Sequence, residues 1–216
     1  MTAVFAQPEA VERTDPKPGD QSAWQSLKQP VLFWGSVDER YSRSQLPTAS
    51  PAPLLYAWKG ERVQAQAVFA TDRAAVLKCE VSDLKCGTEL IPSACIQVYF
   101  AHYVLGDALY TRKDSCLSAD WLSSETSCRV EARTARPLWI DIRVPRNAVS
   151  GNYKGQLKVT DGEKNYTLPI SLTVGKRVLP EPKDWHIHLD LWQNMRSRAT
   201  IMYRCGAKNI LTACVR

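Results

Sequence analysis

The sequence has no apolar run that approaches the ~20 residues of a membrane-spanning helix, so it predicts no membrane span. No stretch before residue 195 shows a persuasive helical period, which argues against a helical domain. There is neither an internal repeat nor a low-complexity run. With 44% hydrophobic residues among 216, the chain has enough apolar side chains to bury the core of one domain.

A basic excess is almost absent from the first 194 residues. The whole chain has a net charge of +6, but residues 195–216 hold five Lys or Arg residues and no acidic residue. The preceding part therefore carries a net charge of +1, which provides no electrostatic footprint for a phosphate backbone. We expect no nucleic-acid partner.

The cysteines lack the C-x-x-C spacing that is typical of zinc sites. Seven are present, two of them in residues 195–216. The other five are Cys79, Cys86, Cys95, Cys116 and Cys128. Their spacing predicts no metal site, and no motif in the sequence indicates a cofactor.

Two interpretations of these cysteines remain open. In an oxidising compartment two disulfides could form, Cys116–Cys128 and Cys86–Cys95, which leaves the fifth cysteine as a free thiol. A nucleophilic cysteine would instead need a histidine beside it. His102 is the one histidine before residue 179, so it is the only candidate for that role within the first part of the chain.

A period-two alternation of apolar and polar residues dominates residues 137–174. Leu138 and Ile140 flank Trp139, which we therefore expect on the opposite face of the strand. Further strands are predicted at 153–160 and 166–174, with turn chemistry between them. Seven or eight short strands with frequent turns predict an all-β chain, folded as a two-sheet antiparallel β-sandwich of the immunoglobulin or jelly-roll type.

Earlier strands are predicted at 31–37, 54–58, 62–70, 74–81 and 96–104. Because only the short Lys59-Gly60 segment separates the second from the third, we interpret these two as a hairpin-like pair. Residues 106–128 are predicted to form a long loop that holds Trp121 and two cysteines. A loop of that length in a compact domain is usually functional.

The segment 179–194 indicates a joint between two domains. Leu179-Pro180-Glu181-Pro182 is stiff because each proline fixes its own φ and restricts the residue before it. The apolar residues Ile187, Leu189 and Leu191 then alternate with polar residues, as in a strand. The predicted divisions are a leader at 1–29, the sandwich at 30–178, a linker at 179–184, an orphan first strand of another domain at 185–194, and an irregular tail at 195–216.

Three segments together resemble proteins of glycoside hydrolase family 123: LPEPKDWHIHLDLWQN (179–194), RPLWIDIRVPRNAVSGNYKGQLKV (136–159) and YTLPISLTVGKRVLPEP (166–182). The resemblance implies an N-terminal β-sandwich joined to a catalytic (β/α)8 barrel, which is missing here after its first strand. It also implies hydrolysis of β-linked N-acetylhexosamine with help from the substrate's own acetamido group. The assisting Asp-Glu pair lies on later barrel strands, so we expect no catalytic residue in this chain.

The end of the orphan strand holds candidates for substrate contact, Asp190, Trp192 and Gln193. The Trp192 ring would stack on a sugar, and Asp190 or Gln193 would bond its hydroxyl groups. Packing at the junction explains these residues equally well. His186, His188 and Asp190 share one face of the same strand, which keeps a metal-dependent hydrolase open as a further hypothesis.

Both ends of the chain differ from the family pattern. The first seven residues resemble the end of a signal peptide, which predicts a periplasmic or extracellular protein; an ordinary N-terminus is the alternative. After Asn194 the similarity stops. Permitted codons for residues 195–216 allow a neighbouring frame to encode a family-like continuation, so we hypothesise an out-of-frame tail, with natural divergence as the alternative.

We derive two main functional hypotheses. The first is a non-catalytic accessory domain of a secreted, N-acetylhexosaminidase-like glycoside hydrolase, with the missing barrel as its intramolecular partner and an apolar patch where the barrel docks. The alternative is a free-standing carbohydrate-binding or adhesin-like sandwich, in which an exposed tryptophan stacks on a sugar. The candidate tryptophans are Trp24, Trp34, Trp58, Trp121, Trp139 and Trp185.

Overall fold

The computed structural model of the protein describes residues 12–16, 18, 21–107 and 115–185. The chain divides into two compact units, Met1–Leu179 and Pro180–Arg216. In the described part of the second unit, a short 3-10 helix spans Pro182–Asp184, and the Trp185 indole donates a hydrogen bond to the Pro180 carbonyl at 2.9 Å. The predicted barrel strand beyond residue 185 and the predicted out-of-frame tail lie outside the described residues.

Strands dominate the residues that are described. They are β1 (Val31–Gly35), β2 (Leu55–Lys59), β3 (Arg62–Thr71), β4 (Ala75–Val81), β5 (Leu84–Cys86), β6 (Glu89–Ile91), β7 (Ile96–Asp107), β8 (Ser115–Ser123), β9 (Cys128–Val130), β10 (Thr134–Arg143), β11 (Gly151–Thr160) and β12 (Asn165–Val178). Two further 3-10 helices span Ser22–Ser26 and Ser93–Cys95. Within the described ranges, no helix is long and apolar enough to cross a membrane.

The strands form two sheets. The first sheet has five strands in the order β1-β3-β10-β7-β8, and the second has seven, of which five follow the order β2-β12-β11-β4-β9. The remaining two are β5, which pairs with β11, and β6, which pairs with β5. Neighbours are antiparallel except for β2 and β12, which run parallel. The inner faces of both sheets share one core, so the predicted all-β, two-sheet sandwich is confirmed.

The core lies between the sheets because each strand directs every second side chain inward. On β10, Leu138, Ile140 and Ile142 are 0% exposed. Leu157 and Val159 of β11 join the same core from the second sheet. Full burial of each such side chain stabilises the fold by about 1.5–3 kcal/mol. The alternation within residues 137–174 therefore identified the strands that contribute most to the core.

The predicted hairpin at residues 54–70 is wrong. β2 pairs with β12 in the second sheet, whereas β3 pairs with β1 and β10 in the first. Gly60 makes the crossing between sheets with a φ of +83°, and its N–H donates to the Val144 carbonyl at 3.0 Å. Alternation shows which side chains a strand buries but not which strand lies beside it, and this is why the pairing was mispredicted.

The predicted long loop at 106–128 is also wrong. β7 extends to Asp107, β8 occupies Ser115–Ser123, and β9 begins at Cys128. β8 is the outermost strand of the first sheet and pairs along β7. Its sequence, SCLSADWLS, is rich in serine. An edge strand does not need a continuous apolar pattern, so the sequence carries little strand signal at this point.

The cysteines whose side chains are described are free thiols: Cys79, Cys86, Cys95 and Cys128. The disulfide between Cys86 and Cys95 that the sequence left open is therefore not formed. Burial, together with the nearby Cys128, raises the pKa of the Cys79 thiol to about 12, and burial raises the pKa of Cys128 to about 11. Thiols with such pKa values stay protonated at neutral pH, which argues against a cysteine nucleophile at either position.

A second, smaller core covers part of the outer face of the first sheet. The segment 21–47 supplies Trp24 and Tyr41, which are 2% and 3% exposed. They pack with Val68, Ala70 and Ala135, which point outward from β3 and β10. The described part of the predicted leader is thus built into the folded unit through Trp24.

Candidate functional site

Trp139 lies on the outer face of β10, as its flanking residues predicted. Leu138 and Ile140 are buried in the core, whereas Trp139 is half-buried on the opposite side of the sheet. In the register of the sheet it stands between Gln66 of β3 and Tyr99 of β7. Because β10 is the middle strand, the Trp139 ring lies near the centre of this surface.

The outer face of the first sheet has a covered half and an uncovered half. Toward the paired residues Thr71 and Thr134, the second core lies over the sheet. Toward the paired residues Arg62 and Arg143, the outward side chains of the described residues are exposed or half-buried, apart from Asp141, which is buried. We call this uncovered half the open face. Its outward residues are Arg62, Gln64, Tyr99, Trp139 and Asp141.

A groove of ≈ 270 Å³ lies beside Trp139 at the border of the open face. Its lining includes Val37, Arg40, Gln66, Leu122 and Trp139. The Gln66 side-chain amide donates to the carbonyl of Ser36 at 2.5 Å and to that of Glu39 at 3.0 Å, which fixes the loop that forms one wall. Val37 and Leu122 are 45% and 42% exposed, so the groove offers apolar surface next to an aromatic ring.

A polar cluster borders Trp139 on the open face. Asp141 is 7% exposed, and its carboxylate accepts hydrogen bonds from Arg62 and, at 3.1 Å, from the Gln64 amide. The hydrogen bond to Asp141 raises the pKa of the exposed Arg62 guanidinium. With both oxygens of Asp141 engaged, this carboxylate positions Arg62 and Gln64 rather than serving as a proton acceptor.

The first unit ends where β2 crosses from the second sheet to β3 of the first. The N–H of Leu179 donates to the Lys59 carbonyl at 2.8 Å, and Arg146 Nη1 donates to the Leu179 carbonyl at 2.8 Å. Lys59 directly precedes the crossing that leads into Arg62 and β3. The chain therefore leaves the sandwich at the same end of the first sheet as the open face.

The structure does not describe the residues that the sequence singled out for chemistry. Asp190, Trp192 and Gln193, together with His186 and His188, lie outside the described residues. Within the ranges that are described, no group of three or more His, Cys, Asp or Glu side chains is placed to hold a metal ion. The open face has the composition of a contact surface.

The candidate tryptophans occupy different environments. Trp24 and Trp34 are buried, at 2% and 5% exposure, so neither can stack on a ligand. Trp58 lies beneath Arg177, whose Cζ is 5.5 Å from the ring centroid, and Trp121 packs against the His102 ring at 5.2 Å between centroids. Trp185 belongs to the second unit and is 49% exposed. Trp139 is the tryptophan that lines the groove.

A buried ionic cluster under the covered half was not predicted from the sequence. Arg136 binds both carboxylate oxygens of Glu12, through Nη1 at 2.5 Å and Nη2 at 2.8 Å. The backbone N–H of Tyr103 donates to Glu12 Oε1 at 3.0 Å, and His102 Nδ1 lies 3.1 Å from the same oxygen. Glu12 and Arg136 are 124 positions apart, and no local pattern in the sequence signals a pair so distant.

The cluster keeps Glu12 ionised. Burial alone would raise the pKa of its carboxyl, but the hydrogen bonds from His102 and Arg136 and the charge of Arg136 outweigh this effect and hold the pKa well below its ordinary range. The side chains of Arg136 and Glu12 are 3% and 11% exposed. This arrangement anchors the N-terminal arm to the sheet rather than performing acid–base chemistry.

Similarity to solved structures agrees with the architecture. A family 123 glycoside hydrolase from Clostridium perfringens, studied for glycolipid glycan hydrolysis, is 25% identical in sequence and superimposes with a TM-score of 0.64. The match covers 72% of this chain but 29% of that enzyme. The chain therefore spans less than a third of the length of its structural relative.

Two other structures share only weak likeness. A FixG-related protein from Vibrio parahaemolyticus is 12% identical with a TM-score of 0.29, over 52% of this chain and 80% of that one. The sporulation control protein Spo0M from Bacillus subtilis is 8% identical with a TM-score of 0.34, over 70% of this chain and 51% of that one. These values are too low to bear on the fold or the function. Among curated proteins, no sequence matches significantly.

The sequence profile of the glycoside hydrolase 123 N-terminal domain matches residues 34–161. The matched range runs from β1 to the end of β11 and includes Trp139 and the open face. It covers more than half of the chain, and the architecture agrees with that of the C. perfringens enzyme. The chain therefore belongs to the family of glycoside hydrolase 123 N-terminal domains.

Proposed function

We propose that this chain is the non-catalytic accessory domain of a glycoside hydrolase and that its open face packs against the catalytic domain. The observation that carries the proposal is the position of the open face at the end of the sandwich where the chain leaves through Leu179. A domain joined by a short stiff linker is held close to that end. Because the open face lies at that end of the first sheet, we propose it as the surface against which a following domain packs.

The composition of the open face supports this role. Trp, Tyr and Arg are enriched at the centres of protein interfaces, and Tyr99, Trp139 and Arg62 stand together on this face. Leu122 and Val37 add exposed apolar surface at its border. Asp141 holds Arg62 and Gln64 in fixed positions, which lowers the conformational cost of forming contacts.

The proposal also covers the substrate of the complete enzyme and its location in the cell. We propose that the complete enzyme acts on β-linked N-acetylhexosamine, in line with the family resemblance and with the glycolipid glycan hydrolysis of the C. perfringens relative. We also propose that it is exported, because the first seven residues resemble the end of a signal peptide. Asp190, Trp192 and Gln193 would then lie at the rim of the first barrel strand.

The nucleotide sequence of the gene tests the proposed domain boundaries. We propose that residues 185–194 begin a barrel and that residues 195–216 are read out of frame. The DNA after codon 194 should then encode a family 123 continuation in a neighbouring frame. A gene without such a second reading would remove the out-of-frame tail from the proposal.

Activity assays test the accessory role. The purified chain should not hydrolyse p-nitrophenyl N-acetyl-β-galactosaminide, whereas a frame-restored protein should. Trp139→Ala should lower the melting temperature more in the frame-restored protein than in the isolated chain, whereas Trp58→Ala should have a similar effect in both, since only Trp139 lies on the open face. Turnover by the chain alone, or an effect of Trp139→Ala that is the same in both proteins, would contradict the proposal.

A second candidate function is carbohydrate binding by the groove beside Trp139. It is favoured by one observation: an accessible tryptophan lies next to a groove of ≈ 270 Å³ with an amide, Gln66, in its wall. Titration calorimetry of the chain with N-acetylgalactosamine and with glycolipid-derived oligosaccharides distinguishes this function. Heat of binding that Trp139→Ala abolishes and Trp58→Ala preserves would favour it over domain docking.

A further inference from the structure

We infer that Arg136, Arg43 and His102 form a binding pocket for a carboxylate group, which Glu12 fills from the N-terminal arm of the same chain. This pocket lies under the covered half of the first sheet and is separate from the open face. The inference does not depend on the proposed function. It assigns a ligand class, a single carboxylate, to the most deeply buried ionic cluster of the described residues.

The pocket surrounds the carboxylate with donors from several elements. Arg136 on β10 provides two parallel N–H groups, and the Tyr103 N–H of β7 provides a third donor. Arg43 approaches from the segment that covers the sheet, with its Nε 3.5 Å from Glu12 Oε2. A two-pronged arginine contact together with a backbone donor matches the planar geometry of a carboxylate.

The pocket is held in place by contacts that do not involve Glu12. Arg136 Nη1 also donates to the Ala101 carbonyl at 2.8 Å, and its guanidinium lies 5.2 Å from the centroid of the Tyr103 ring. The Arg43 guanidinium donates to the Arg13 carbonyl at 3.0 Å and to the Glu131 carboxylate at 2.7 Å. His102 packs on the Trp121 ring. Both arginines and the histidine should therefore keep their positions when the Glu12 side chain is shortened.

The charges around the pocket favour an anion. The side chains of Arg136, Arg43 and His102 are 3%, 8% and 8% exposed. Two other carboxylates face the cluster from its rim: Glu131 binds Arg43 Nη2 at 2.7 Å and Glu125 lies 3.8 Å from His102 Nε2, but their side chains are 75% and 43% exposed. Without the Glu12 carboxylate, Arg136 would be a buried charge without a close anionic partner, which is strongly unfavourable.

Rescue by a small carboxylate tests the inference. In the full chain, Glu12→Ala should lower the melting temperature, and sodium acetate should restore part of the loss. At ten times its dissociation constant, acetate should raise the melting temperature of the variant by about 3–6 °C. Acetamide, with ionic strength matched by sodium chloride, should have no such effect because it lacks the charge. The unmodified chain should not respond to either compound beyond the common effect of salt.

Two further variants provide controls. Glu131→Ala removes an exposed partner of Arg43 and should show no selective response to acetate. Glu12→Ala combined with Arg136→Met removes the main donor and should lose the response of Glu12→Ala. An equal acetate response in this double variant, or no response in a folded Glu12→Ala chain, would overturn the inference. If Glu12→Ala does not fold, the refolding yield in acetate against acetamide is measured instead, and an equal yield overturns it.

The source of the carboxylate is tested by mixing. A Glu12→Ala chain retains the pocket, and an Arg136→Met chain retains the Glu12 carboxylate. If Glu12 fills the pocket of its own chain, size-exclusion chromatography of the mixture should show only species of the size of the separate chains. A heterodimer that forms only in the mixture would contradict occupation within one chain.

Discussion

Leu138 and Trp139 are adjacent in sequence and lie on opposite faces of β10. The Leu138 side chain is 0% exposed between the two sheets, and the Trp139 side chain lines the groove on the outer surface. The register of β10 with β3 and β7 fixes this division, because it places Leu138 opposite Ala67 and Phe100 in the core. One strand thus supplies both the packing of the sandwich and the centre of its open face.

Substitutions of Leu138 and of Trp139 should reduce the free energy of unfolding by different amounts. Leu138→Ala should reduce the free energy of unfolding by about 2–5 kcal/mol, because it leaves a cavity in a fully buried position. Trp139→Ala in the same chain should cost less than about 2 kcal/mol, because the ring is only half-buried. Urea unfolding followed by circular dichroism measures both. Similar losses for the two variants would mean that Trp139 belongs to the core.

The anchor formed by Glu12 should make stability depend on pH in the acid range. The pKa of Glu12 in the fold lies below its unfolded value of about 4.3, so its stabilising contribution is complete above about pH 5 and is lost as the pH falls. Thermal melts of the unmodified chain and of Glu12→Gln should differ most at pH 6–7. The difference in melting temperature should shrink steadily below about pH 4.

The comparison with Glu12→Gln cancels the effect of other acidic groups. Burial would raise the pKa of Asp161, but hydrogen bonds from the backbone of Lys164 and Glu163 outweigh burial and lower it. Because both proteins contain Asp161, its contribution to the pH dependence cancels in the comparison. A difference between the two melts that stays constant down to pH 2–3 would show that Glu12 is not held ionised by Arg136.

Gly60 should tolerate only residues that accept a positive φ. With its φ of +83°, a branched side chain is strained at the crossing between the sheets, and a Cβ would lie 3.0 Å from Arg146 Cγ. Gly60→Val should therefore lower the free energy of unfolding by about 2 kcal/mol or more, and Gly60→Asn by about half as much. Chemical denaturation of both variants measures this, and equal costs would contradict a conformational cause.

Cys79 and Cys128 should resist alkylation in the folded protein. Cys128 is buried and Cys79 is partly buried against the core, and their raised pKa values, about 11 and about 12, leave almost no thiolate at pH 8. Iodoacetamide treatment of the native chain followed by peptide mass spectrometry should find both cysteines unmodified. Denaturation should make both react, and rapid labelling before denaturation would contradict the burial of this part of the core.

The sequence predicted the strands in which buried and outward residues alternate regularly. It missed strands that form only because a neighbouring strand pairs with them. Leu138, Ile140 and Ile142 produce an alternation that only a strand explains, and Trp139 could be assigned to the outer face from the same pattern. β8 has no such pattern because it pairs with β7 at the edge of the sheet. Its structure depends on a partner strand and not on its own residues.

The candidate site was only partly predictable for a related reason. Trp139 was identified from its position in a strand, but the importance of Glu12 depends on Arg136, Tyr103 and His102, which come from distant positions. Ion pairs across a fold leave no mark in local periodicity or spacing. Asp190, Trp192 and Gln193 were chosen through the family resemblance, and their role remains a prediction.

The parallel pairing of β2 with β12 determines when this domain can be completed during synthesis. Leu55 pairs with Leu172 and Lys59 with Val178, so β2 remains without its neighbour until the ribosome has released nearly the entire sandwich. Leu179, whose N–H bonds the Lys59 carbonyl, directly follows β12 and also becomes available only at the end of the synthesis of the sandwich. During that interval the edge of β2 has no partner from its own chain, so it is open to pairing with strands of other molecules.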